Sequence, residues 1–268
     1  MRKHAHITHH GHRKMMLSRW EHILIHVALP TLIVVLSAYA IGEYAQRSYP
    51  QISFNEFAVA IIASILRISV AFAVSLVLGV ALAILTLSSR LVERITLPIW
   101  DVLESFPILA FFPAILAIFI GSRGYSLAAI CVMALAMIGN ILFSAVGGLR
   151  VIPEEVRSVG TVFGLTYLQK LKHIILPALV PSVVTGSLLA WAEGWNMLIV
   201  VEVIHTYIPN TTIANDLYGI GSILVHASSS GNTRAFAAAV AIMVAVIVGM
   251  NIAIWQPLLR YSERFKFE

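Results

Sequence analysis

Five charged side chains fall inside long apolar runs, where a charge is expensive. They are Arg67, Asp101, Glu104, Glu193 and Glu202. In lipid such groups turn toward partners or a wet cavity, and they often mark a route for ions or solutes. Glu193 lies mid-run in Ala190-Trp191-Ala192-Glu193-Gly194-Trp195-Asn196. Polar and aromatic groups in this order suit a lining that passes a solute. A helix–helix hydrogen bond is the plainer alternative, and for Asn140 it is the preferred one. Asp101 and Glu104, three residues apart, can rest at a membrane interface, and Arg67 can snorkel to one. Glu202 stands at the end of its run, where a charge costs little.

Other chemistry is absent from the sequence. There is no Gly-x4-Gly-Lys-Ser/Thr phosphate loop, no His-Glu-x-x-His and no Gly-x-Ser-x-Gly. These would have signalled nucleotide, zinc or nucleophile chemistry. No catalytic residue, metal site or cofactor is therefore expected in this chain. His4, His6, His9, His10 and His12 make a histidine-dense tail that can hold zinc or nickel loosely, without the fixed geometry of a strong site. His22, His26, His173, His205 and His226 do not cluster in sequence. The single cysteine, Cys131, excludes a disulfide framework.

These residues are set in a membrane-type composition. Of 268 residues 59% are hydrophobic and 12% charged, with a mean hydropathy of +0.88. Soluble domains carry about 25% charged residues. The net charge of +5 does not point to nucleic acid, because the basic residues are confined to short segments between apolar runs. A bilayer core requires roughly 20 apolar residues in a helix, the form that satisfies its own backbone. Six runs qualify: 21–41, 57–87, 96–120, 125–148, 178–203 and 234–257. The expected fold is an all-α polytopic membrane protein with six transmembrane helices. It divides into a basic, His-rich tail (1–20), a six-helix domain (21–258) and a short C-terminal tail (259–268). The first run has no small-residue cleavage site, so it reads as a span and not a signal peptide. Met1 and the charged C-terminus are expected to bound a complete chain, and no lipidation motif is present.

Lys and Arg set the orientation. One side holds Arg2, Lys3, Arg13, Lys14 and Arg19, then Arg90 and Arg94, then Arg150, Arg157, Lys170 and Lys172, then Arg260, Arg264 and Lys266. The other holds only Arg47, Arg123 and Arg234. This asymmetry predicts that both termini are cytoplasmic, in a bacterial-type inner (plasma) membrane. The long 149–177 loop is then cytoplasmic, and 204–233, rich in Ser, Thr, Asn and Gly, lies outside.

The 149–177 loop reads as two short helices. Pro153 opens the first, with Glu154 and Glu155 at its positive end, and Gly164 ends it. Leu165, Leu168, Leu171 and Ile175 then recur at helical spacing. Gly164, nine residues, then Ile174-Ile175-Leu176-Pro177 resembles the signature loop of binding-protein-dependent ABC importer permeases. The family's preceding Glu-Ala-Ala falls on Ser158, Val159 and Gly160, so that half departs from the pattern. Ser64-Ile65-Leu66-Arg67, Glu93, Pro98, Glu104 to Pro113, Gly121 and Val200-Val201-Glu202 extend the resemblance over roughly 60–260. It is nearest the nitrate/sulfonate/taurine branch.

That resemblance implies a type I importer permease, itself non-catalytic. Two permease copies, as a homodimer or heterodimer, would form the pathway for a small solute, such as nitrate, a sulfonate, taurine or bicarbonate. A separate ATPase would carry ATP and Mg, and an extracytoplasmic solute-binding protein would deliver the solute. Ser158, Phe163, Gly164, Leu165, Thr166 and Leu168 would meet the ATPase. Arg67, Asn140, Trp191, Glu193, Trp195, Asn196 and Glu202 would belong to the pathway. Glu202 would be an outer gate or, since a carboxylate is an odd liner for an oxyanion, a partner for Arg67. The alternative is an ion-coupled secondary transporter, which predicts inverted repeats; none is found.

Overall fold

The computed structural model describes residues 54–87, 89–119, 124–207 and 216–265. The expected first span at 21–41 and the histidine tail lie outside the described residues. Every described element is helical: α1 (Phe54–Thr86), α2 (Arg90–Ser105), α3 (Phe112–Ile118), α4 (Gly124–Val151), α5 (Glu154–Val162), α6 (Tyr167–Lys170), α7 (Leu176–Val201), α8 (Ile220–Ser229), α9 (Thr233–Met250) and α10 (Gln256–Ser262). Five-residue π-helical turns join α6 to α7 and α9 to α10.

Four stretches are long and apolar enough to cross a membrane: Asn55–Thr86, Gly124–Val151, Tyr167–Val201 and Thr233–Phe265. They correspond to four of the expected runs. The run at 96–120 is different. It is not one straight helix: α2 and the Ile108–Ile118 stretch meet at 86°. The cause is local. Phe106 precedes Pro107 and is extended (φ −82°, ψ 135°), the conformation that a following proline enforces. Hydropathy averages over such a break and misses it.

The core is built on α4, which lies between α1 and α7 and is buried along most of its length. The helices approach closely because small residues line the contacts. At Gly186 of α7 a Cβ would stand 2.6 Å from Ser144 Cβ and 2.8 Å from the Asn140 carbonyl oxygen of α4. A backbone atom cannot step aside. Gly186→Ala should therefore lower stability by about 1–3 kcal/mol through overpacking. Thermal unfolding of the purified protein measures this, and an unchanged midpoint would mean that the helices separate freely. By contrast α9 is mostly half-buried, with Ala235, Ala237 and Ala239 its buried residues, and α1 and α7 each keep an outward apolar face.

Candidate functional site

At the far end of α7 from the α5–α6 loop, Glu202 is completely buried. Its carboxylate accepts hydrogen bonds from Ser64 Oγ of α1 (2.7 Å), from Arg67 Nη1, and from the Gly221 backbone N–H in the first turn of α8 (2.7 Å). Ser64 Oγ in turn accepts from the Ile220 N–H at 3.0 Å. The carboxylate thus sits at the positive end of α8 and beside a guanidinium. One side chain, on the residue that caps the C-terminal end of α7, holds α1 and α8 together. Of the two readings open for Glu202, the structure shows the pair with Arg67. Sequence reading missed α8 itself. Ile220, Gly221, Ser222, Ile223 and Ala227 are buried in a stretch expected to be an outer loop. The signal available was the helical spacing of Ile220, Ile223, Leu224 and Ala227.

The Trp191–Asn196 cluster divides by helix face. Residues two apart on a helix stand roughly 200° apart around it. Trp191 and Trp195 are buried in the core, where Phe72 meets the Trp191 ring edge-on at 5.4 Å and Trp255 lies 6.0 Å from it. Glu193 is half-buried and Asn196 exposed on the opposite side, with Asn196 Nδ2 donating to Glu193 Oε2 at 3.4 Å. Asp101 and Glu193 both lie within electrostatic reach of Glu104, whose carboxylate is positioned to meet any Cβ added at Gly139. Asn140 is half-buried in α4. The structure therefore joins Arg67 to Glu202, groups Glu193 with Asn196, Glu104 and Asp101, and sends the two tryptophans elsewhere.

The 149–177 loop folds as α5, a turn and α6. Gly164 has φ +63°, and the Leu165 N–H donates to the Gly160 carbonyl at 2.9 Å, which closes α5 in a Schellman arrangement. Thr166 caps α6 in a reciprocal box with Gln169. Ser158 Oγ turns back to the Glu155 carbonyl at 2.7 Å. Leu165 is half-buried and Thr166 exposed. Val162, Phe163 and Leu168 are between 73% and 81% exposed, so the turn carries an uncovered apolar patch.

One cluster joins residues that are separate in sequence. His205 Nδ1 and His226 Nε2 each lie 2.7 Å from Asp216 Oδ2. Burial raises the Asp216 carboxyl, but the hydrogen bonds from the His205 N–H and from both rings outweigh it and hold the group below its ordinary value.

Residues 75–255 match the family described as "Binding-protein-dependent transport system inner membrane component". The chain belongs to that family. It is 29% identical over 197 residues to the nitrate import permease protein NrtB of Synechocystis sp., covering 66% of this chain and 70% of that one. It is 27% identical to the bicarbonate transport system permease protein CmpB of Synechococcus elongatus, over 53% of this chain and 50% of that one. It is 28% identical to the taurine transport system permease protein TauC of Escherichia coli, over 53% and 50%. The chain thus spans about half the length of several relatives that it matches. These relatives belong to the nitrate/sulfonate/taurine branch expected from the sequence. A bacterial ABC transporter involved in the import of the acidic polysaccharide alginate shares the fold, with a TM-score of 0.61 at 15% identity over 95% of this chain and 96% of that one. Family membership displaces the ion-coupled alternative and makes this a multi-pass inner-membrane transport component.

Proposed function

We propose that this chain lines the translocation pathway of an ATP-driven importer for a small solute of the nitrate, bicarbonate, sulfonate or taurine class. The observation that carries the reading is the exposed apolar patch around the Gly164 turn, held on a rigid capped helix pair in a family that works with separate partners. An ATPase cleft would cover Val162, Phe163 and Leu168 and drive α7 as a lever, since α6, the π turn and α7 run on without a break. ATP and Mg would bind that ATPase. A second permease copy would face α7 on the side of Glu193 and Asn196, and a solute-binding protein would dock at the opposite membrane face. Both termini would be cytoplasmic.

The test is to co-purify the chain with its ATPase and binding protein, reconstitute them, and measure ATP-dependent uptake of labelled nitrate, bicarbonate and taurine. Uptake without ATP or binding protein would overturn the reading. Orientation is tested separately by cysteine labelling in a Cys131→Ser background. Ser228→Cys should react from outside and Ser158→Cys only from inside. Both side chains are exposed, so silence at either is informative.

Glu193 offers a further check. Glu193→Gln should lower uptake severalfold while the amount of assembled complex stays constant, if this face lines the route. Loss of assembled protein would instead make Glu193 a bundle contact.

A further inference from the structure

The His205, Asp216 and His226 cluster has the makings of a metal site. The three residues come from different stretches: His205 from the short turn Ile204–Thr206 after α7, Asp216 from the approach to α8, and His226 from α8. Their ligating atoms all lie within 4.8 Å of one another. The two imidazole rings converge on a single oxygen, with centroids 6.1 Å apart. Asp216 Oδ1 accepts the His205 backbone N–H at 2.9 Å, which presets the direction of the carboxylate. Such outer support is what orients metal ligands. The Asp216 side chain is 2% exposed, whereas the rings are 27% and 31% exposed, so an ion can enter from the ring side.

We propose that His205 Nδ1, His226 Nε2 and the Asp216 carboxylate bind one divalent transition-metal ion, with zinc the best fit. Two imidazoles and one carboxylate suit zinc, while calcium and magnesium demand oxygen-rich shells. Bonds of about 2.0–2.2 Å in a tetrahedron place ligand atoms roughly 3.3 Å apart. The present spacing of 2.7 Å is that of hydrogen bonds. Entry of the ion therefore needs Oδ2 and the rings to part by about half an ångström, with the ring protons released or moved to the other nitrogens. A water would complete the fourth position. The ion would pin α8 to the end of α7, three residues beyond Glu202.

The test uses the full chain in detergent, with His4, His6, His9, His10 and His12 replaced by alanine so that the tail does not contribute. Zinc is measured by equilibrium dialysis, and cobalt serves as a visible-absorption probe. One zinc per chain is expected, with a tetrahedral cobalt band and a zinc-dependent rise in melting temperature. His226→Ala should weaken zinc binding at least about tenfold and abolish the band. His226→Gln keeps a donor for Asp216 and loses the imidazole, so it should fold and still fail to bind. If the parent holds no zinc, or His226→Gln binds it equally, the cluster is a hydrogen-bonded clasp and the proposal falls.

Discussion

Glu202→Gln is expected to cost the bundle about 3–5 kcal/mol, the usual penalty for removing one partner of a buried ion pair. Glu202 is fully buried, and its neighbours are donors: the Ser64 hydroxyl, the Arg67 guanidinium and the Gly221 N–H. A glutamine offers one acceptor oxygen and brings a donor group against these donors. The Arg67 charge loses its counter-charge in a nearly buried setting, where its Nε already has no partner among the described residues. Chemical or thermal unfolding in detergent would show the loss, and the yield of folded protein should fall with it. Arg67→Met combined with Glu202→Leu should recover part of the stability, because two apolar groups leave no unpaired charge. A Glu202→Gln protein that melts normally but transports poorly would make Glu202 a gate and not a strut.

Gly164→Val is the second large effect. At φ +63° a β-branched residue is strained by roughly 1–2 kcal/mol or more. Among the described residues, its chain neighbours aside, no atom lies within 4 Å of where a Cβ would be, so the penalty is conformational and not a clash. Relief of that strain would unwind the end of α5, lose the Leu165-to-Gly160 bond, and re-aim Phe163 and Leu168. The expected result is weaker ATPase retention, or hydrolysis no longer stimulated by solute, with solute binding to the external protein unchanged. Gly164→Ala should be milder and Gly164→Asn milder still, since asparagine tolerates this conformation. Measuring ATPase retention and stimulated hydrolysis for the three variants gives a graded series. Normal coupling in Gly164→Val would remove this turn from the mechanism.

The apolar runs, the helix break at Gly164, the α5 start at Glu154 and the family resemblance were all legible in the chain itself. Each depends on local properties: hydropathy over a window, a residue that alone accepts positive φ, acidic groups at a helix start. The bend between α2 and α3 was also local, but a hydropathy window cannot register a single extended residue before Pro107. What the tertiary structure decided was who meets whom. Trp191 and Glu193 are near neighbours in sequence, yet the helix turns one into the core and the other away from it. Arg67 and Glu202, 135 residues apart, become partners only because α1 and α7 pack on the same central helix. His205, Asp216 and His226 converge only because α8 folds back onto the end of α7. Side-chain pairing across elements is set by packing geometry, and no periodicity or spacing along one chain encodes it.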